Sequence, residues 1–192
     1  MGREFELKYR ATSTQQQAIY QQFQDFHKIS METTYFDTVN GLLAAKRVTL
    51  RLRKENDLCI CTMKTPLADG SRGEWECEAE DIHKGLCALR SLGAPGDLCD
   101  LADQDLRPVC GARFTRLATQ IETAECVVEL ALDHGVLLGG GQEMALSEVE
   151  VELKSGAEQA AIHFADMLAK EHGLVVEQQS KFRRALALAE GE

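Results

Sequence analysis

Five stretches of this chain alternate between apolar and charged residues, and four of the five charged faces carry a single sign. Leu50-Arg51-Leu52-Arg53 sets two arginines on one side and two leucines on the other. Glu148, Glu150 and Glu152 oppose Val149, Val151 and Leu153, and Glu125, Glu129 and Asp133 oppose Cys126, Val128, Leu130 and Leu132. Glu74, Glu76 and Glu78 line up against a weaker apolar pair, Trp75 and Cys77. Near the N-terminus Glu4, Glu6 and Lys8 share a face opposite Phe5 and Leu7. A period of two marks a β-strand, whose successive side chains point to opposite faces. One such strand by itself is an ordinary half-exposed strand, charged outside and apolar inside. Several single-signed strands together are different, because like charges side by side repel unless an opposite charge lies between them. A metal ion or a polyphosphate supplies that opposite charge.

Period-two segments at 3–10, 31–37, 48–54, 58–65, 72–78, 113–120, 125–133 and 146–154 predict eight strands. Helical patterns cover 14–26, 81–91, 157–171 and 181–190, with a short helix and turns between 93 and 112, where Pro95 and Pro108 interrupt. The helix over 157–171 carries Ile162, Ala165, Leu168 and Ala169 on one side and needs an apolar surface to cover. If such helices cover the apolar strand faces from outside, a closing sheet turns its charged faces inward. The predicted fold is α+β: a closed antiparallel eight-stranded β-barrel with helices packed outside and a lumen lined by ions. Barrels of this size can hold one small ligand. The length of 192 residues predicts a single domain spanning 1–192.

A net charge of −10 argues against nucleic acid as a partner, since nonspecific binding needs a broad basic surface. It leaves room for a small polyanion held by a local basic cluster. No apolar run is long enough to span a membrane, and the N-terminus lacks the apolar core of a signal peptide, so a cytoplasmic protein is expected. The seven cysteines show neither zinc spacing nor a CxxC pair and read as reduced thiols. The five histidines show no catalytic or metal-ligating spacing.

Taken in order, the charged motifs resemble the CYTH superfamily of triphosphate tunnel metalloenzymes, most closely its bacterial inorganic triphosphatases. Glu4-x-Glu6-x-Lys8 is similar to the family signature, and Tyr35-Phe36-Asp37-Thr38 looks like its YFDT strand. Arg51-x-Arg53, Lys64, Arg72-Gly73-Glu74, Phe114-Thr115-Arg116, the Glu129–Gly135 segment, Ser147–Gly156 and Ser180–Arg184 follow in the family's order. The likeness covers nearly the whole chain and implies a stand-alone domain. Relatives often carry a second basic residue two positions after the arginine matching Arg116, where this chain has Ala118.

The resemblance implies a hydrolase that cleaves a small-molecule triphosphate, most simply tripolyphosphate to pyrophosphate and phosphate, with Mg²⁺ or Mn²⁺ as cofactor. Lys8, Arg51, Arg53, Lys64, Arg116, Lys181 and Arg184 are the expected substrate-binding cations, since guanidinium forks suit phosphate oxygens. Glu4, Glu6, Asp133, Glu148, Glu150 and Glu152 are the expected metal ligands, an oxygen-only set that suits hard cations. Of these, Glu4, Glu6, Asp133 and Glu150, together with Lys8, are expected to carry the catalysis. Tyr35, Arg72, Glu74, Glu76 and Glu129 are expected to orient the groups that touch substrate. Two alternatives remain open: a class IV adenylate cyclase on the same scaffold, and a noncatalytic polyphosphate- or nucleotide-binding module.

Overall fold

The computed structural model describes residues 2–3, 5–68 and 72–191. In chain order the elements are β1 (Gly2–Arg3), β2 (Glu6–Arg10), α1 (Ser13–Gln22), β3 (His27–Thr38) and α2 (Leu42–Ala45). Then come β4 (Thr49–Glu55), β5 (Leu58–Pro66), β6 (Arg72–Glu78), α3 (Ile82–Ser91) and α4 (Gly96–Asp103). The long strands β7 (Leu106–Glu122), β8 (Cys126–Gly139) and β9 (Gln142–Gly156) follow, and α5 (Glu158–His172), β10 (Val175–Val176) and α6 (Lys181–Glu190) end the described chain. Among the described residues no helix is long and apolar enough to cross a membrane.

The expected eight-stranded closed barrel does not form. The strands make one open antiparallel sheet in the order β1-β6-β5-β4-β3-β7-β8-β9-β2-β10. Closure requires an unbroken ladder around the ring, and two local events prevent it. The predicted strand over 3–10 is interrupted, with Gly2–Arg3 pairing to β6 and Glu6–Arg10 pairing to β9. The other edge of β2 is then taken by Val175 and Val176, paired with Arg10 and Tyr9. The sheet still curls strongly, because side chains from β2 through β9 line one common cavity.

The second departure is strand length: β7 has 17 residues and begins well inside the predicted turn region. Pro108 does not end it, because Pro108 lies opposite Phe36 next to a register shift between Tyr35 and Phe36. Proline is tolerated at such irregularities, where its missing N–H breaks no ladder bond. Glu125 falls just before β8, so only Glu129 and Asp133 of that expected acidic face lie on the strand.

The helices do cover the apolar strand faces from outside. Ile19 of α1 and Ala161, Ala165 and Leu168 of α5 pack with Val128, Leu130, Leu132, Val149 and Val151 in one core. A second core joins Leu86 and Leu89 of α3 and Leu98 of α4 to Leu50, Cys61, Met63 and Trp75. Since alternate residues of a strand face opposite ways, the charged partners of these apolar residues turn toward the concave side. The fold of α1 begins at Thr12, whose hydroxyl accepts from Gln15 N at 3.2 Å while Gln15 Oε1 accepts from Thr12 N at 2.7 Å, a reciprocal capping box. From α1, buried Gln16 donates to the carbonyls of Asp133 and Glu148 at 2.9 and 2.8 Å, tying the outer helix to the backbone behind the charged face.

Candidate active site

The concave face encloses a cavity of about 570 Å³. Its basic wall is built by β4, β5 and β6, which present Arg51, Arg53, Lys64 and Arg72. Arg53 is ion-paired with Glu55, and Lys64 Nζ lies 3.3 Å from Glu74. Arg72 Nη2 donates to Thr49 Oγ1 at 3.2 Å, and Glu76 accepts from Thr62 Oγ1 at 3.0 Å. Burial, and then the neighbouring Arg51, lowers the pKa of the Arg53 guanidinium. Two cations held this close with little water gain by meeting an anion.

The opposite wall is acidic and ordered in rows by strand register. Glu152 of β9 lies directly across from Glu6 of β2 on one side and Glu129 of β8 on the other. Three carboxylates abreast repel one another. Two lysines answer them: Lys8 donates to Glu6 at 2.8 Å, and Lys154 lies 2.9 Å from Glu152 and 3.7 Å from Glu129. Burial disfavours the Lys8 ammonium, but Glu6 outweighs that and its pKa ends raised.

Deeper lie Asp133, Glu148 and Glu150, three buried carboxylates with ligand oxygens within 4.8 Å of one another. Lys181 at the start of α6 places its ammonium 2.8 Å from Asp133, 2.7 Å from Glu148 and 2.6 Å from Glu150. Arg116 grips Asp133 with two bonds of 2.8 and 2.7 Å and also pairs with Glu150, while Arg184 pairs with Glu148. Burial alone would raise the pKa of Glu150, yet Lys181 and Arg116 hold its carboxyl well below the usual carboxylate range. For Glu148 burial prevails, and its pKa is raised despite Lys181. Burial works against the Lys181 and Arg116 cations too, but the adjacent carboxylates keep both firmly protonated.

Most of the expected site residues therefore converge on one space. Lys8, Arg51, Arg53, Lys64, Arg72 and Arg116 line it, as do Glu6, Glu74, Glu76, Glu129, Glu150 and Glu152. Glu4 lies outside the described residues. Asp133 and Glu148 are completely shielded, and Arg184 lines a separate surface pocket with Glu177 rather than the channel. Tyr35 reaches the cavity with its ring 5.1 Å from that of Phe182, and burial raises its phenol pKa. Ala118 is fully buried, opposite His27 of β3 and Ala131 of β8.

Three side chains take roles that the sequence left unassigned. Lys154 stands two residues after Glu152 and so continues the same face, as the period of two requires. Phe114 places an aromatic ring beneath Lys181, 5.4 Å from its ammonium. Asp37 of the YFDT-like segment accepts from Leu43 N and Ala44 N at 2.8 and 2.9 Å and anchors α2.

The two carboxylate groups differ in how well they suit a divalent cation. Around Asp133, Glu148 and Glu150 stand the cations of Lys181, Arg116 and Arg184, of which Arg116 also lies 3.9 Å from Glu129 and Arg184 3.6 Å from Glu177. Around Glu6, Glu152 and Glu129 stand Lys8 and Lys154, with Arg116 Nη1 3.9 Å from Glu129. The outer row is oxygen-only and faces the cavity, so it fits Mg²⁺ or Mn²⁺.

The CYTH domain family profile matches residues 2–186. An inorganic triphosphatase of Haemophilus influenzae is 27% identical over 166 residues, covering 85% of this chain and 47% of that protein. The chain thus spans about half the length of this curated relative. Among solved structures, the PH1819 protein of Pyrococcus horikoshii superposes with a TM-score of 0.66 at 21% identity, covering 97% of this chain and 99% of the other. A Hippeastrum protein named for an adenylyl cyclase, and described as having a dominant triphosphatase activity, superposes with a TM-score of 0.66 at 20% identity over 98% and 96% of the two chains.

Proposed function

This chain belongs to the CYTH domain family, and from that membership and the channel geometry we propose that it hydrolyses a small triphosphate, with inorganic tripolyphosphate as substrate. The observation that carries this reading is the opposition of two walls across one cavity. Arginines and a lysine from β4, β5 and β6 face a row of carboxylates from β2, β9 and β8. A triphosphate carries about four negative charges near neutral pH, which the guanidinium and ammonium groups of the basic wall are placed to meet. The carboxylate row would repel such a substrate unless a divalent cation stood between them.

Glu6, Glu152 and Glu129 would hold that ion, Mg²⁺ or Mn²⁺, with Glu4 as a further proposed ligand. When bound it supplies charge neutralisation for phosphate oxygens and acidifies water. The chain's own residues do the rest. Arg51 and Arg53 bind phosphate oxygens through their planar forks, and Lys64 and Lys8 add point charges along the chain of phosphates. Glu74 holds Lys64, and Arg72 donates to Thr49 Oγ1 and, at 3.4 Å, to the Lys64 carbonyl. Phosphoryl transfer needs positioning and charge stabilisation more than covalent catalysis, so neither a nucleophilic serine nor a cysteine is required. A cytoplasmic setting suits the seven cysteines, all of which are free thiols.

The test is to incubate the purified chain with tripolyphosphate or ATP plus Mg²⁺ or Mn²⁺ and follow phosphate, pyrophosphate and cyclic AMP. Phosphate and pyrophosphate in equal amounts from tripolyphosphate are expected. Cyclic AMP from ATP would instead assign a cyclase, and binding without turnover would assign a noncatalytic module.

A further inference from the structure

A second pocket, of about 540 Å³, opens further along α6. The first turn of that helix lines the channel with Ser180, Lys181 and Phe182, whereas Arg184, Ala187 and Leu188 line the second pocket. Its other walls come from Arg10 of β2, Met144 of β9, Val176 of β10 and the three residues after it. We propose that this pocket is a second binding site, for a small aliphatic carboxylate: a singly charged head with a short apolar tail. The inference goes beyond the triphosphatase reading of the channel and does not depend on it.

The head site is built by two arginines. Arg10 continues the face of Glu6 and Lys8 along β2, one step beyond the residues that line the channel. Arg184 reaches the pocket from α6. The two converge on one carboxylate, with Arg10 Nε 3.7 Å and Arg184 Nη1 3.6 Å from the same oxygen of Glu177. Both distances exceed ordinary hydrogen-bonding range, so Glu177 attracts the guanidiniums without saturating their donors. Its other oxygen accepts from Gln179 N at 2.9 Å. Arg184 also pairs with Glu148, yet its Nε is buried and finds no acceptor in the chain. A buried donor of this kind ordinarily has a partner. A carboxylate between Arg10 and Arg184 would meet two planar forks, which grip such groups through paired hydrogen bonds. Glu177 beside them disfavours a second negative charge nearby, so a monoanion fits better than a phosphate dianion.

The tail site follows from the rest of the lining. Gln178 and Gln179 add polar amides, and the remainder is apolar: Met144, Val176, Ala187 and Leu188. Val176 is 60% exposed, an apolar side chain left open beside a charged head site. Met144, unbranched and adaptable, can fit itself to the outline of a short alkyl chain. A few convergent polar groups next to an apolar wall fix the orientation of an amphipathic ligand.

The experiment titrates the full chain with acetate, butyrate, hexanoate, orthophosphate and hexylamine, followed by calorimetry and by amide shifts in NMR spectra. Hexanoate is expected to fill one site per chain with a Kd of about 1 mM or below. Each methylene added from acetate to hexanoate should tighten binding by about two- to fourfold. Orthophosphate and hexylamine should bind at least about tenfold more weakly than hexanoate. R10M and V176D change side chains that are more than half exposed, so both should fold normally, and each is expected to weaken hexanoate binding at least about tenfold. R53A, altered in the channel, should bind hexanoate as the wild type does. The proposal fails if hexanoate does not saturate the chain, if affinity is indifferent to tail length, or if orthophosphate or hexylamine binds as tightly. It fails equally if R53A abolishes binding while R10M retains it, since the carboxylate would then sit in the channel.

Discussion

Glu148 and Glu150 sit two residues apart on β9 and share one ammonium, yet their carboxyl groups shift in opposite directions. At Glu150, Lys181 and Arg116 overcome burial and depress the pKa well below its ordinary range; at Glu148 burial prevails and raises it. The sign of each shift sets its effect on stability. A depressed carboxyl contributes stability that is present above its unfolded pKa of about 4.3 and is lost as pH falls toward the folded value. A raised carboxyl does the reverse: its contribution is full below the unfolded pKa and is lost as pH rises through the folded one. E150Q is therefore expected to cost about 3–5 kcal/mol near neutral pH, because it leaves buried cations short of a partner. That difference should shrink as pH drops below about 4. Urea unfolding of both proteins between pH 3 and 7 checks this, and a constant difference over that range would contradict the assigned shift. At the opposite wall, R53A removes a guanidinium from the pair with Arg51 and should lower kcat/KM for tripolyphosphate by about 10²-fold or more, with little change in the urea midpoint.

At the scale of elements, α6 decides whether Lys181 is in place. The helix rests on the end of β8 with almost no clearance: a Cβ at Gly139 would lie 2.3 Å from the Ala185 carbonyl oxygen and 2.7 Å from Ala189 N. Both are backbone atoms, so the helix as a whole must give way. G139A is expected to destabilise by about 1–3 kcal/mol, the usual cost of overpacking. Amide exchange should speed up over 181–190 before it does elsewhere. Gly96, with open space around its missing Cβ, is the control, and G96A should leave α6 unchanged. Alternation made the strand faces legible in the sequence, since a period of two needs only local residues. Where α6 docks was not legible, because it depends on a close approach to Gly139 from more than forty residues away in the chain. The same limit explains Lys181. Its position in the Ser180–Arg184 motif marked it as a cation near substrate, while the three acids that surround it come from two other strands.

For the whole molecule, the inward turn of the charged faces was legible because amphipathic helices leave an apolar sheet surface no other cover. Closure was not, because it hinges on one interrupted strand and on β10 occupying the free edge of β2. An open, curled sheet with opposed charged walls has a consequence beyond local contacts. Arg51 lowers the pKa of the buried Arg53 guanidinium, and Glu6, Glu152 and Glu129 lie abreast on the outer row. A triphosphate would meet the first group and a divalent cation the second, so the two together engage both walls at once. Ligand that binds only the folded chain adds RT ln(1 + [L]/Kd), about 2.7 kcal/mol at a hundredfold excess over Kd. In a domain of this size each kcal/mol moves the melting temperature by roughly 2–4 °C. Tripolyphosphate with Mg²⁺ is therefore expected to raise the melting temperature by about 5–11 °C. Tripolyphosphate with EDTA should raise it much less, since the acidic wall then repels the substrate it would otherwise help to hold. Equal shifts with and without the metal would mean that the carboxylate row plays no part in binding, and that the basic wall alone accounts for recognition.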